Sequence, residues 1–164
     1  MSTPLRVYLA ARFSRRDELR EYAADLAALG IDVTSRWLTE EHPEIIEEPG
    51  GELSGSTEEL AGIAYNNLAD IRGADILVLF TEPVDRPPRR NGRMVELGYA
   101  LGLSKTAIIV GPRENVFCWQ TGVLAFEDFD VARQWLVQIG AALQESYRKW
   151  PAPITTLPQP GFDA

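Results

Sequence analysis

Runs of apolar residues recur along the chain and predict the strands of a buried sheet. Three of them are Arg6–Ala10, Ile76–Phe80 and Thr106–Val110. The second shows no alternation of apolar and polar residues, which is typical of a strand covered on both faces. Two further segments, Ile31–Trp37 and Gly122–Phe126, have the composition of strands and bring the predicted number to five.

Between these runs the apolar residues follow helical spacing. A first helix is expected to begin with Ser14 as its cap and to stop at Gly30. Residues 56–59 form a second capping box ahead of an apolar stripe that ends at Ile71. The last helix is predicted over residues 130–148. Its expected inward positions are Val131, Trp135, Leu136, Ile139 and Leu143.

The segment from Asn91 to Gly102 predicts a further helix, and it carries the most suggestive carboxylate. Asn91 is the expected cap, and three apolar residues should face the sheet: Met94, Leu97 and Leu101. Glu96 lies off this stripe, one turn into the helix. The helix N-terminus would hold Glu96 ionised, which suits a nucleophile. The alternative is a solvated glutamate that pairs with Arg93.

Strands that alternate with helices predict an α/β fold with a right-handed parallel sheet. We expect a single-domain three-layer sandwich over residues 1–150, with a five-stranded, mostly parallel sheet of flavodoxin/Rossmann-like order. Residues 38–55 are acidic and rich in Gly and Pro, and they predict a loop or lid. Residues 151–164 form a proline-rich tail, expected to be extended or disordered unless a neighbouring subunit holds it.

Composition narrows the classes of function. The 164 residues carry a net charge of −8, which argues against binding to nucleic-acid polymers or anionic membranes. One cysteine and one histidine make a metal cluster unlikely, so no metal and no cofactor are expected. No signal-peptide or membrane-spanning run is found, and cytoplasmic is the default location. Sequence fingerprints for dinucleotides, for Walker-type phosphate loops and for serine hydrolases are missing.

The carboxyl ends of parallel strands meet at one edge, where ligands bind in this architecture. Several arginines are expected there, and guanidinium groups suit a phosphate or a carboxylate. They are Arg12, Arg15, Arg16, Arg86, Arg89, Arg90, Arg93 and Arg113. The rings of Phe13 and Trp37 could stack on a flat base at this edge, unless both belong to the core. The predicted binding residues are Ala10, Arg12, Phe13, Ser14, Trp37, Asn91, Gly92, Arg93 and Asn115. Asn67, on the face of its helix that should meet the sheet, either satisfies a structural hydrogen bond or points into the site.

Four segments together resemble a known family. They are residues 8–13 (YLAARF), 68–75 (LADIRGAD), 92–101 (GRMVELGYAL) and 111–117 (GPRENVF). Their order and spacing resemble the nucleoside 2-deoxyribosyltransferase family, which includes related nucleoside 5′-monophosphate N-glycosidases. The last segment is similar to one found in a bacterial and phage branch. The resemblance covers about residues 5–137.

The resemblance implies a mechanism. Glu96 matches the glutamate that attacks the anomeric carbon of a nucleoside or nucleotide and expels the base, and the sugar then passes to another base or to water. Tyr8 matches the tyrosine that orients this nucleophile. Asn115 matches an asparagine that reaches into the neighbouring subunit's site, so a homo-oligomer, a dimer or larger, is implied.

Two departures from the family pattern bear on this reading. Asn67 stands where an aspartate assists departure of the base, and an amide cannot deliver a proton; Asp70, one turn later, is a candidate substitute. Arg90 and Asn91 stand where transferases carry an acidic residue that contacts the sugar. Arginines at the rim favour a phosphorylated substrate.

Three functions therefore stay open. The first is an enzyme that cleaves an N-glycosidic bond, by transfer or by hydrolysis. The second is a catalytically weak nucleotide-binding or sensing module with the same fold. The third is a structural partner protein that uses the acidic loop over residues 40–52.

Overall fold

The structure is a computed structural model and describes residues 4–40, 55–82 and 91–149. Its centre is a sheet of five parallel strands in the order β2-β1-β3-β4-β5. The flavodoxin-like order predicted from the sequence is confirmed. The strands are β1 Arg6–Ala10, β2 Asp32–Val33, β3 Ile76–Phe80, β4 Thr106–Val110 and β5 Val123–Phe126.

Four α-helices cover the two faces of this sheet. They are α1 Arg16–Ala28, α2 Thr57–Gly73, α3 Gly92–Gly102 and α4 Phe129–Lys149. Helices α1 and α4 meet through the stacked rings of Tyr22 and Phe129, whose centroids are 4.0 Å apart. Helices α2 and α3 meet where the Arg72 guanidinium donates to the Tyr99 hydroxyl at 2.7 Å. The pairing of helices forms the predicted three-layer sandwich.

The middle of the sheet positions the loops at its carboxyl edge. All five residues of β3 are buried, as expected for a strand covered on both faces. Gly111 follows β4 with φ of +108°, and a Cβ there would lie 2.7 Å from the Thr81 hydroxyl oxygen. Glycine therefore lets the loop after β4 pass close to the end of β3.

Only one of the three predicted helix caps forms. The Ser56 hydroxyl accepts from the Glu59 backbone N–H at 3.2 Å, and the Glu59 carboxylate accepts from the Ser56 N–H at 2.8 Å. Ser14 does not cap α1, because a 3-10 turn over Phe13–Arg15 precedes that helix. Asn91 holds the cap position of α3, but its side chain makes no capping hydrogen bond.

The predicted end of β2 is wrong. β2 was expected to reach Trp37, but it ends at Val33 and is followed by a 3-10 helix over Arg36–Leu38. The Ser35 hydroxyl replaces the strand ladder there, since it accepts from the Leu9 N–H at 2.6 Å. The side chains of Ser35 and Trp37 thus bind β1 beyond the point where the strand ends.

Three of the five predicted inward positions of α4 are confirmed, since Leu136 is fully buried and Trp135 and Ile139 pack against the core. Val131 and Leu143 are exposed, and Phe129 is buried at the start of the helix. The predicted lid, apart from its first and last residues, and the proline-rich tail lie outside the described residues. Within the described part of the chain, no helix is long and apolar enough to cross a membrane.

Candidate active site

Three elements bring three predicted residues together beside the sheet. Tyr8 lies in β1 and is fully buried, Asn67 lies on α2, and Glu96 lies on α3. The Tyr8 hydroxyl donates to Glu96 Oε1 at 2.8 Å, and the Asn67 amide donates to the same oxygen at 3.2 Å. Asn67 therefore points at the carboxylate, which was one of its two expected placements.

The two hydrogen bonds make the oxygens of Glu96 unequal. Among the described residues, both donors contact Oε1 and none contacts Oε2. One oxygen is thus anchored, while the other has no donor among the described residues. A nucleophilic role would require a carboxylate oriented in this way.

Burial controls the protonation of this carboxylate. It raises the pKa of Glu96 to about 7, outweighing the lowering effects of the Tyr8 and Asn67 hydrogen bonds and of the Arg93 charge. The expectation that the helix N-terminus holds Glu96 ionised is therefore wrong, because loss of water around the anion dominates. Burial and the charge of Glu96 also raise the pKa of Tyr8 well above its usual value, so Tyr8 stays a hydrogen-bond donor.

The raised pKa of Glu96 makes the stability of the fold depend on pH. A carboxyl that holds its proton more tightly when folded stabilises the protein below pH 4.5, and this contribution is lost as the pH rises through 7. We expect Glu96→Gln to gain stability relative to wild type between pH 5 and 8, by an amount on the order of 3 kcal/mol. Urea unfolding of both proteins at each pH measures it. If the difference in unfolding free energy between Glu96→Gln and wild type did not change with pH, the expected effect of burial on the Glu96 anion would be contradicted.

The reading of Glu96 as a solvated partner of Arg93 is not what the structure shows. Glu96 is half-buried, and Arg93 donates instead to both carboxylate oxygens of Glu114, at 2.9 and 2.8 Å. The Glu82 backbone N–H also donates to Glu114, at 2.7 Å. Sequence reasoning missed Glu114 as part of the site, although it lies within the 111–117 segment that carries the family resemblance.

Asp70 has a structural partner of its own. Its Oδ1 accepts from Arg36 Nε at 2.7 Å, and its Oδ2 accepts from the Arg36 backbone N–H at 3.0 Å. The pair joins α2 to the segment after β2. Both oxygens are engaged by Arg36, so this geometry lends no support to Asp70 as a proton donor, and that role stays a prediction.

Most described arginines at this edge bind groups of the protein. Arg15 donates to both oxygens of Glu18 at 2.7 Å. Arg16 donates to the carbonyl oxygens of Leu38 and Glu40. Arg93 donates to Glu114 in the same way, so each of these three guanidinium groups already binds an oxygen of the protein, which weakens the prediction that they form a phosphate site. Arg86, Arg89 and Arg90 lie outside the described residues.

One of the two candidate stacking rings belongs to the core. Trp37 is 8% exposed, and its indole N–H donates to the Leu9 carbonyl at 2.9 Å. Trp37 therefore takes the core placement, which was the alternative to stacking on a base, and its contact with a ligand stays a prediction. Phe13 is half-buried, with its centroid 6.4 Å from that of Trp37 and the Arg16 guanidinium 5.4 Å from its ring.

The other predicted binding residues lie at the end of β1, in the turn before α1 and at the start of α3. Ala10 ends β1 and is buried, and Arg12 and Ser14 follow it in the turn before α1. Asn91 and Gly92 are exposed at the start of α3. Their contacts with a ligand remain predictions.

Asn115 lies beside the first turn of α3. Its side-chain oxygen accepts from the Phe117 N–H at 2.9 Å, and its amide nitrogen lies 3.2 Å from the Met94 sulfur. It begins the 3-10 helix Val116–Trp119. This helix presents three strongly exposed apolar side chains, namely Val116, Phe117 and Trp119.

The fold and this site define a class of protein. A family model described as nucleoside 2-deoxyribosyltransferase matches residues 7–138 of this chain. The chain belongs to that family. Membership relates it to enzymes that act on nucleosides or nucleotides as small-molecule substrates. No curated protein sequence is similar enough to this chain to add to the comparison.

Solved structures support the fold. A 2-deoxyribosyltransferase from Bacillus psychrosaccharolyticus is 22% identical, with 78% of this chain and 90% of that chain covered and a TM-score of 0.55. A 2-deoxyribosyltransferase from Leishmania mexicana is 16% identical, with 82% and 98% covered and a TM-score of 0.57. The TIR domain of a Toll-related receptor from Hydra magnipapillata is 17% identical, with 84% of this chain and 96% of that chain covered and a TM-score of 0.51. This last likeness shows that the architecture alone does not specify a reaction.

Proposed function

We propose that this chain cleaves the N-glycosidic bond of a nucleoside or nucleoside 5′-monophosphate, with Glu96 as the nucleophile. The observation that carries the proposal is the oriented carboxylate, with one oxygen held by Tyr8 and Asn67 and the other turned to no described donor. Membership in the nucleoside 2-deoxyribosyltransferase family supports the class of substrate.

The chemistry has two steps. In the first, Glu96 Oε2 forms a bond to the anomeric carbon, the bond from that carbon to the base nitrogen breaks, and its electron pair leaves with the base. In the second, water or another base attacks the same carbon and releases the carboxylate. A close anion stabilises the positive charge that develops on the sugar in both steps.

The surroundings of Glu96 suit this role. A carboxylate that has lost much of its hydration is more reactive toward an electrophilic carbon than one in bulk water. Tyr8 and Asn67 keep it in one orientation, which lowers the entropy lost on reaching the transition state. Among the described residues, no group of three His, Cys, Asp or Glu side chains could hold a metal ion.

A chromatographic screen for free base tests the proposal. Nucleosides and 5′-monophosphates with different bases are incubated with the protein, each with and without an acceptor base. Release without acceptor indicates hydrolysis, and exchange only with acceptor indicates transfer. Preference for monophosphates would favour a phosphate site at the arginine-rich rim. No release from any substrate by folded protein would contradict the proposal.

One observation favours a second function, a nucleotide-binding or sensing module. Asn67 offers an amide where the family resemblance implies an acid, so departure of the base would lack a proton donor. Calorimetry on the same panel separates the two functions. Binding without any base release over long incubation would favour the module.

We further propose that the protein is a homo-oligomer in which Asn115 completes the site of a neighbour. The family resemblance suggests this arrangement, and the exposed side chains of Phe117 and Trp119 beside Asn115 support it. Large exposed apolar side chains that cluster are typical of protein interfaces.

Complementation tests the shared site. Glu96→Gln and Asn115→Ala are each expected to be nearly inactive, and a mixture should recover activity, since about a quarter of the sites are intact in a randomly mixed dimer. The control mixture is Glu96→Gln with Tyr8→Phe, which affects two residues of the same subunit's site and should recover none. A monomer in light scattering, or no recovery after subunit exchange, would contradict the shared site.

A further inference from the structure

Glu114 joins three segments at the carboxyl edge of the sheet. It lies in the loop after β4 and accepts from Arg93, in the first turn of α3, with both carboxylate oxygens. It also accepts from the Glu82 backbone N–H, just after β3, at 2.7 Å. The end of β3, the start of α3 and the loop after β4 are therefore held by one carboxylate.

The contact between Arg93 and Glu114 is a buried ion pair. The Arg93 side chain is 1% exposed and that of Glu114 is 17% exposed. A buried cation of this kind needs a counter-charge, because water does not solvate it. Glu114 supplies that charge from a loop, whereas Arg93 belongs to the same helix as Glu96.

Arg93 also acts on the nucleophile. Residues three apart on a helix lie on the same side, so Arg93 is a neighbour of Glu96. Its positive charge favours the ionised form of Glu96 and lowers the pKa of that carboxyl. The size of the effect depends on how much of the Arg93 charge is offset by Glu114.

We propose that Glu114 is a positioning residue that acts on Glu96 through Arg93, by holding the guanidinium in place and offsetting its charge. The kinetic part of this inference rests on the proposed function. The electrostatic part concerns the ionisation of Glu96 and is measurable without turnover. Glu114 is thus assigned a role that depends on its charge as well as on its hydrogen bonds.

Other groups also face Glu96 and remain unchanged in the test. Tyr8 approaches from β1, and Asn67 approaches from α2. Asp70, with its partner Arg36, lies one turn further along α2 and acts on Tyr8. Because these groups are the same in each variant, a shift on changing Glu114 or Arg93 reports the ion pair.

The test compares two substitutions with opposite expected signs. Glu114→Gln keeps the size and an acceptor oxygen but removes the negative charge, so the titration midpoint of Glu96 should fall by roughly half a pH unit or more. Arg93→Gln removes the positive charge beside a retained Glu114 and should raise the midpoint. The double variant should return close to wild type.

Carbon-13 NMR of labelled glutamate carboxyls measures the midpoint, with the Glu96 signal assigned by its loss in Glu96→Gln. The pH profile of base release should shift in the same directions on its acid side. Glu21→Gln is the matched control, because Glu21 is an exposed residue of α1 and α1 packs with α4 on the other side of the sheet. Circular dichroism checks that each variant is folded, and Arg93→Lys, which keeps the charge, replaces Arg93→Gln if the latter unfolds.

Opposite shifts in the two single variants support the proposal. Titration midpoints of Glu96 that stay within the range of the Glu21→Gln control, or that move in the same direction in both variants, overturn it. If the ion pair only held the segments together, the two variants would not shift the midpoint in opposite directions. If Arg93→Lys is used, its midpoint should stay close to wild type while that of Glu114→Gln falls. Absence of base release in wild type would contradict the proposed function alone, because the NMR midpoints still report on Glu114.

Discussion

Glu96→Gln should lose base release by roughly a thousandfold or more, because a neutral amide cannot form the bond to the anomeric carbon. Glutamine preserves the size of the side chain, and its oxygen can still accept from Tyr8 and Asn67, so the fold should be retained. The rate of base release in the chromatographic screen measures the loss, on the best substrate that the screen finds.

The matched control for this prediction is Glu58→Gln, an exposed glutamate in the first turn of α2. It should release base at the wild-type rate. Mass spectrometry of wild type quenched during turnover adds a direct test, since a sugar ester should appear on the peptide that contains Glu96. Unchanged turnover in Glu96→Gln would exclude Glu96 as the nucleophile.

Asn67→Asp should raise base release by roughly ten- to a hundredfold for bases that leave poorly, because it places an acid next to the site of cleavage. The new carboxyl would lie near Glu96 Oε1, which Asn67 now contacts at 3.2 Å. Two carboxyls at that separation cannot both ionise easily, so one of them keeps a proton near neutral pH. That proton is available to the leaving nitrogen.

Substrates with bases of graded acidity measure this effect. The gain should be largest for the poorest leaving group and small for the best one, and the pH profile should acquire a fall on its alkaline side. Asn66→Asp is the control, because it makes the same change one residue away on α2. An equal change for good and poor leaving groups, or a loss with both, would contradict a role for an acid at position 67.

Much of the fold could be predicted from local patterns. β1, β3 and β4 have the predicted bounds, because an uninterrupted apolar run has few arrangements that bury it on both faces. The capping box at Ser56 formed because both of its partners lie within one turn. After Val33, where the chain bonds to the distant Leu9, the prediction was wrong, and at Ser14 a 3-10 turn took the place of the expected cap.

The site was predictable only in part, because it also depends on contacts between residues that are distant in the sequence. Placement of Tyr8, Asn67 and Glu96 together follows from the order of the strands and from a family resemblance in their segments. Trp37 could not be assigned from sequence, because its ring is held by the Leu9 carbonyl, 28 positions away.

The sequence by itself determined the alternation of strands and helices, the net charge and the segments that carry the family resemblance. The tertiary structure alone decided which groups neutralise the arginines and how Glu96 titrates. Arg93 is paired with Glu114 across 21 positions of the chain, and burial raises the pKa of Glu96 to about 7. Desolvation and ion pairing depend on what packs around a group in three dimensions, and no spacing along the chain specifies that surrounding.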